Sequence, residues 1–397
     1  MTKFLLSLLP RQALDRLETG AWRIPEPDLL GCEKWVTALR EMRIALVRQD
    51  VYSDLYCCNP KMSGPEIVRH SVRRTGPAGL LVDLHADYWV VKEDAAPECA
   101  IWTEKIANDP DPCAQTYRAQ KDRPPGAGFV NCFSDYAVKV DEIPWDRYDL
   151  VVSIDISVPF RIIQRSRRPL WAYLPGDPGV PTAKRSLQEP PGNYDISLSH
   201  SFRRHSVRPS LGPRTVEFPY TFLRRGSWDK IFPRSQTERR RGTMVEHQTE
   251  KLLSDPERQK LQGIGPLRRP EGSILDVAER LNRSAFYFRC GGGPIVGNGI
   301  VEAAASGCLA VGNAREFVNR SLFCHPNVWF TREAGIDRIL ELASDPKSLD
   351  QWVGIQGRLL DYYCFYRPIR EILRLWTLRK SKPSKFKGRL SIGASGI

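Results

Sequence analysis

Residues 286–313, FYFRCGGGPIVGNGIVEAAASGCLAVGN, constrain the fold of this chain more than any other segment. An apolar, aromatic run of strand character over residues 285–290 leads into three consecutive glycines, where the chain must turn. Asn298 is suited to cap a helix, which Gly307 ends, and residues 309–311 form a second apolar run without alternation. The order strand, glycine turn, helix and strand predicts an α/β unit built on a parallel sheet.

The glycine turn has the features of an anion-binding site. Gly291, Gly292 and Gly293 carry no side chains, so a ligand can approach the backbone there. The unpaired N–H groups at the start of the next helix favour a pyrophosphate. Glu302, one turn into that helix, offers a carboxylate able to accept two hydrogen bonds from ribose hydroxyls.

The stretch GNGIVEAAASGCLAV resembles the nucleotide-sugar-binding segment of GT-B-fold glycosyltransferases, especially the retaining glycosyl transferases group 1 family. By this resemblance Glu302 binds the ribose of the nucleotide, and Gly297, Asn298 and Gly299 lie beside the phosphates and the donor sugar. The first Glu of the family pattern falls on Pro294, which leaves the sugar and the stereochemical outcome open. The resemblance also implies two Rossmann-like domains facing across a cleft, and no metal.

A chain of 397 residues fits two such domains better than one. We predict an α/β protein of GT-B architecture with an N-terminal helical extension. The predicted parts are the helical extension 1–41, an N-terminal Rossmann-like acceptor domain 42–222, a C-terminal Rossmann-like nucleotide-sugar-binding domain 223–348, C-terminal helices 349–380 that cross back to the first domain, and a flexible basic tail 381–397.

Short apolar runs and helical spacings give the expected elements outside the glycine segment. The runs predict strands at residues 43–48, 80–84, 128–132, 150–154, 170–174, 196–198, 216–218 and 327–330. The spacings predict helices at residues 32–42, 160–167, 250–262, 274–282 and 333–343.

Glycosyl transfer needs positive charge on the departing nucleoside diphosphate and, in an inverting enzyme, a base for the acceptor proton. Arg289, at the end of the strand before the glycines, and Lys251 are the candidate cations. Ligands bind at the carboxyl ends of parallel strands, so polar residues after the predicted strands are the candidate bases. They are His85 as first choice, then Asp155, Asp83 and Asp50.

The net charge of +13 points to anionic partners. Seven Lys or Arg and no acid lie in residues 374–389, and arginine pairs recur, for example Arg224 with Arg225. The expected partners are a nucleotide-sugar donor, a glycan or lipid-linked acceptor, and an anionic membrane surface in contact with the basic tail. Nucleic acid is not expected as a partner.

Cysteine usage and apolar patterning address the location of the protein. Ten cysteines without CxxC pairs indicate reduced core residues, and no signal peptide is evident. We therefore expect a cytoplasmic protein, with peripheral contact at the inner membrane surface as an option. No cofactor is expected. No metal site is expected either, because Asp109-Pro-Asp111, which imitates a DxD motif, lies in a Pro-rich stretch.

Two other functions stay open at the sequence level. A nucleotide-sugar epimerase would keep the fold and change the reaction. A non-catalytic basic module that binds nucleic acid or an anionic surface would make Gly291, Gly292 and Gly293 merely structural.

Overall fold

A computed structural model describes residues 26–49, 62–70, 76–92, 138–154, 158–174, 194–199, 214–219, 221–234, 240–272, 274–291, 298–312 and 331–381. Over these residues the fold is α/β with two parallel sheets, which confirms that part of the predicted fold class.

The first sheet contains, among the described residues, the strands β1 Ile44–Gln49, β2 Asp87–Lys92, β3 Val138–Lys139, β4 Leu150–Ile154, β5 Leu170–Leu174, β6 Ile196–Ser199 and β7 Thr215–Glu217. Their spatial order is β3-β2-β1-β4-β5-β6-β7. The order reverses between β1 and β4, and ligands of doubly wound sheets bind beyond the carboxyl ends of the strands at such a point.

The helices around this sheet are α1 Glu33–Arg40, α2 Gly64–His70, α3 Ala78–Val82 and α4 Phe160–Arg165. Both faces of the sheet are covered. Along β4, Leu150, Val152 and Ile154 enter one apolar core while Val151 enters the core on the opposite face. Burial on both sides explains why β4 is apolar without alternation.

The second sheet comprises, within the described chain, β8 Thr243–Val245, β9 Leu267–Arg268, β10 Phe286–Arg289 and β11 Leu309–Gly312, in the order β11-β10-β8-β9. Its strand order reverses between β8 and β10. The helices of this part are α5 Arg225–Ile231, α6 His247–Leu252, α7 Asp255–Gly263, α8 Ile274–Arg283, α9 Asn298–Ser306 and α10 Arg332–Ser344.

Two long helices complete the described chain. They are α11 Pro346–Asp361 and α12 Arg367–Ser381, joined by a π-helical turn at Tyr362–Tyr366. Helix α11 packs on α9 and β11, whereas α12 packs on α1 and β7. The pair therefore contacts both sheets.

Most predicted elements are confirmed within one or two residues. The strands at 150–154 and 170–174 have the predicted bounds, and Gly307 follows α9 with a φ of +84°. The predicted strands at 128–132 and 327–330 lie outside the described residues.

Two of the predicted elements are wrong. Residues 80–84 were expected to form a strand, but residues 78–82 form helix α3, so His85 and Asp83 do not follow a strand. The helix expected over 250–262 is split into α6 and α7, because Ser254 and Glu257 form a capping box that starts a new helix.

Two consecutive arginines at the start of α5 connect the two sheets. Arg224 donates from Nη2 to Asp83 Oδ1 at 3.0 Å, and Lys230 Nζ lies 3.1 Å from the same oxygen. Arg225 donates from Nε and Nη2 to Asp361 Oδ2 at 3.0 and 2.8 Å. Asp83 follows helix α3, which lies beside the first sheet. Asp361 is the last residue of α11, which packs on the second sheet. The sequence suggests external anions as partners of this arginine pair, but both guanidiniums bind internal carboxylates.

Substitution of Asp83 by Asn tests this connection. Asp83 is 0% exposed, so the change leaves the charges of Arg224 and Lys230 without their buried carboxylate. We expect Asp83→Asn to lower the free energy of unfolding by about 3–5 kcal/mol in urea titrations followed by circular dichroism. Lys230→Met removes a half-exposed partner and should change it by less than about 1 kcal/mol. Equal effects of the two variants would contradict this account.

Candidate functional site

The candidate site lies where β8 and β10 end, at the strand-order reversal of the second sheet. Val245 of β8 pairs with Phe288 of β10, so the next residues, Glu246 and Arg289, lie side by side at the carboxyl edge. Cys290 and Gly291 follow β10 directly. Reversal points of parallel sheets are where ligands of such folds bind.

The guanidinium of Arg289 is buried against a carboxylate. Arg289 is 1% exposed, and its Nη1 forms an ion pair with Glu246 Oε2. Strand β11 packs closely against the backbone of Arg289, since a Cβ on Gly312 would lie 1.9 Å from the carbonyl oxygen of Arg289. The expectation that Arg289 forks directly onto phosphate oxygens is therefore corrected, because its guanidinium is covered and already holds Glu246.

Tyr287 contacts the second oxygen of the same carboxylate. Its hydroxyl donates to Glu246 Oε1, and the ring is 1% exposed. Burial raises the pKa of Tyr287 well above its ordinary value, and the negative charge of Glu302 raises it further. Tyr287 thus stays protonated at neutral pH and acts as a hydrogen-bond donor. Glu302 is itself 7% exposed.

The first turn of α9 packs directly on this cluster. A Cβ on Gly299 would lie 2.6 Å from the Tyr287 hydroxyl oxygen and 3.4 Å from Glu246 Oε1. Glycine is thus needed here so that α9 can approach the Tyr287–Glu246 pair, in addition to any contact with a ligand. The start of α9, with its N–H groups, is brought against the strand ends.

Helix α6 contacts Cys290 and Gly291, the two residues that follow β10. Thr249 Oγ1 accepts a hydrogen bond from the backbone N–H of Cys290 at 2.9 Å. Gly291 has a φ of +96°, and a Cβ there would lie 2.1 Å from Leu252 Cδ1. Lys251, next to Leu252, is exposed on the same helix. A cationic side chain therefore stands on the helix that covers the start of the turn.

Several residues predicted from the sequence come together here, and others do not. The structure brings Arg289, Gly291, Asn298, Gly299, Glu302 and Lys251 to the carboxyl edge of the second sheet. The predicted site residues outside the described chain are Gly292, Gly293, Gly297, Asp155 and Asp50.

His85 and Asp83 lie elsewhere. His85 is exposed, has a φ of +53° and comes two residues before β2 begins, at the amino edge of the first sheet. Ligands bind at the opposite edge, so the expectation that His85 follows a strand was wrong, and its role as a base stays a prediction. Asp83 is fully buried in its ion cluster and is not presented to a ligand.

Sequence reasoning missed Glu246 and Tyr287. Glu246 follows a strand of three residues, Thr243–Val245, which is too short to stand out from the polar residues around it. The signal that could have found it is the order of the residues MVEHQTE, in which Glu246 stands between a short apolar run and the start of a helix.

The described residues contain neither a membrane-spanning helix nor a cluster suited to a metal ion. In the described part of the chain, no helix is both long and apolar enough to cross a membrane. The described residues also contain no group of three or more His, Cys, Asp or Glu arranged to hold a metal ion.

Comparison with known proteins gives matches among solved structures. No protein-family model matches the sequence, and no curated protein matches it. An alpha-glucosyltransferase in complex with UDP is similar, with a TM-score of 0.45 and 13% identity over 85% of this chain and 100% of that one. The same kind of enzyme with UDP and a 13-mer DNA containing a HMU base gives a TM-score of 0.44 and 13% identity over 85% of this chain and 99% of that chain.

T4 phage BGT in complex with its UDP-glucose substrate is also similar, with a TM-score of 0.39 and 10% identity over 86% of this chain and 99% of that chain. Likenesses at these TM-scores and identities are too weak to argue from.

Substitution of Gly299 tests the packing at the site. A Cβ at this position meets the Tyr287 hydroxyl at 2.6 Å, so α9 or the Tyr287–Glu246 pair must shift. We expect Gly299→Ala to destabilise the protein by about 1–3 kcal/mol in urea unfolding. Gly263→Ala is the matched control, because no atom lies within 4 Å of the added Cβ and alanine is favoured in a helix. A neutral Gly299→Ala would show that the contact is not tight.

The stability of α6 should depend on pH through Glu250. A hydrogen bond from Arg269, at 2.6 Å, lowers the pKa of Glu250 below its ordinary value, and Arg258 adds to the effect. The stabilisation is therefore complete above the ordinary pKa and is lost as pH falls through the lowered one. Both arginines are partly exposed, so Glu250→Gln should cost about 0.5–1 kcal/mol at pH ~7 and less at pH ~3. A difference that is constant in unfolding titrations at both pH values would contradict this linkage.

Proposed function

We propose that this protein is a glycosyltransferase that takes its sugar from a nucleotide-sugar donor. The observation that supports the proposal most is the convergence of Glu246, Glu302, Gly291 and the start of α9 at the strand-order reversal of a parallel sheet. Such a place combines acceptors for hydroxyl groups with backbone donors for an anion.

In this proposal Glu302 binds the ribose of the donor nucleotide. Its carboxylate lies one turn into α9 and is 7% exposed. A mostly dry carboxylate forms stronger hydrogen bonds to hydroxyl groups than one surrounded by water. The assignment follows the resemblance of the α9 segment to the group 1 family, where the second Glu of the pattern has this role.

The diphosphate would lie against the glycine turn and the amino end of α9. The proposed contacts are the backbone N–H groups of Gly291, Gly292, Gly293, Gly297, Asn298 and Gly299. Because Arg289 is covered by Glu246, the cationic side chain for the departing diphosphate is Lys251, which is exposed on α6. Arg289 then contributes through the position of Glu246.

For an inverting reaction, Asp155 is the preferred base. It follows β4 directly, and β4 borders the strand-order reversal of the first sheet. The carboxyl end of that strand is the expected place for an acceptor group. His85 has no such position, since it precedes β2.

The acceptor is proposed to be a glycan or a lipid-linked hydroxyl. The net charge of +13 also suits a nucleic-acid acceptor, so DNA is included among the acceptors to be tested although it was not expected from the sequence. Acceptor assays should therefore contain an oligosaccharide, a polyprenyl-linked acceptor and a duplex with hydroxymethylated bases.

Nucleotide binding by the parent protein and Glu302→Gln tests the donor site. ADP, CDP, GDP, UDP and their glucose conjugates should be screened by thermal shift, since a ligand that binds only the native state raises its stability. We expect Glu302→Gln to bind the best nucleotide about 10- to 100-fold more weakly, because a hydrogen bond to a charged acceptor is lost. Glu279→Gln, on an exposed face of α8, is the control and should bind like the parent.

Lys251→Ala should weaken the binding of inorganic pyrophosphate and of the nucleoside diphosphate, and it should leave the binding of the nucleoside unchanged. The proposal fails if no nucleotide stabilises the parent protein. Hydrolysis of the conjugate in the absence of acceptor would favour transfer over epimerisation. A salt-sensitive complex with nucleic acid and no nucleotide affinity would favour the basic binding module.

A further inference from the structure

Glu246 is the accessible member of a cluster that is otherwise buried. Arg289 and Tyr287 are each 1% exposed, so neither can touch a ligand without a rearrangement. The Glu246 side chain is 17% exposed and occupies the carboxyl edge of the second sheet. Its two oxygens are held from behind, Oε2 by Arg289 and Oε1 by Tyr287. The carboxylate is thus fixed in place and open on one side.

The charge of the cluster selects what can bind to it. The accessible side chain of the cluster is the carboxylate of Glu246, which offers lone pairs and no donor on its open side. A phosphate here would meet a like charge. A neutral group with hydroxyl donors would meet carboxylate lone pairs, because each carboxylate oxygen can accept two hydrogen bonds and Arg289 and Tyr287 use one on each.

We infer that Glu246 binds hydroxyl groups of the sugar that is transferred, and that Arg289 and Tyr287 are positioning residues for its carboxylate. The inference rests on the proposed function, in which Glu302 already holds the ribose. Glu246 lies within reach of the start of α9, as the 3.4 Å to the Cβ position of Gly299 shows.

The quantity that tests the inference is the gain in affinity from the sugar, that is, how much more tightly the protein binds the glucose conjugate than the nucleoside diphosphate alone. Isothermal titration gives the dissociation constants of the best nucleoside diphosphate and of its glucose conjugate, for the full chain and for Glu246→Gln. We expect the variant to lose about 10- to 100-fold in affinity for the conjugate and to bind the nucleoside diphosphate almost like the parent. Glu371→Gln is the matched control, because Glu371 also accepts from a guanidinium, Arg374 Nε at 2.9 Å, on helix α12, which packs on the first sheet.

Two further variants separate positioning from stability. Tyr287→Phe removes one hydroxyl and should lower the same gain by about 3- to 10-fold, whereas a merely structural role would weaken both ligands alike. Glu246→Gln leaves a buried guanidinium uncompensated and is expected to be less stable. The double variant Glu246→Gln with Arg289→Met removes both charges, and the same ratio of affinities is measured on it if the single variant does not fold.

Each outcome decides between this inference and the function on which it rests. If the parent binds no nucleoside diphosphate and no sugar conjugate of one, the proposed function is wrong and the inference falls with it. If the parent binds a conjugate and the Glu246 variants keep the full gain from the sugar, the inference is wrong while the function stands. If Glu246→Gln binds pyrophosphate more tightly with an unchanged gain from the sugar, Glu246 occupies an anion site, which also overturns the inference.

Discussion

The ion pairs of two adjacent arginines fix how the two sheets of this protein are joined. Arg224 and Arg225 stand at the start of α5, and each binds a carboxylate from a different part of the fold, Asp83 beside the first sheet and Asp361 beside the second. A buried charge is tolerated when it is paired, and removal of one partner is costly. Around this joint the apolar core is continuous, since Ile44 of β1 and Met244 of β8 belong to one cluster. Apolar contact brings the sheets together, and the paired charges specify how they are placed.

The same rule acts at the candidate site and decides which residue faces the ligand. Arg289 ends a strand whose neighbours cover it on both sides, so its guanidinium can be buried there because Glu246 neutralises it. The carboxylate then serves two purposes at once. It compensates a buried cation, and its open side remains available at the strand end. Tyr287 restricts its orientation further. In the proposed function, stability and recognition of the sugar are therefore coupled through this side chain, and a substitution there is expected to affect both.

The sequence predicted the parts of the fold that depend on local patterning. β4, β5, β10, β11 and α9 came from uninterrupted apolar runs, glycine turns and a helix stop. Helix α3 was mistaken for a strand because a short apolar run fits either structure. Its conformation depends on distant contacts, since the Gly79 N–H donates to the carbonyl of Phe222 at 2.7 Å and a Cβ on Gly79 would lie 2.9 Å from the Phe222 ring. Glu246 was missed for a related reason, because β8 is a strand only through its pairing with β9 and β10. Which carboxylate an arginine binds is likewise a tertiary property that residue spacing does not encode.

The proposed site separates two tasks that nucleotide sugars impose on any protein that binds them. These ligands have a charged diphosphate between two neutral groups rich in hydroxyls. Carboxylates suit the neutral ends and repel the middle, so the diphosphate must be held by groups of the opposite kind. Backbone N–H groups at the start of α9 and the ammonium of Lys251 are of that kind. The first lie on the same helix as Glu302, and Lys251 lies on α6, the helix that follows Glu246. An exposed guanidinium at Arg289 would place a positive charge beside the proposed position of the sugar, and its ion pair with Glu246 neutralises that charge at the strand end.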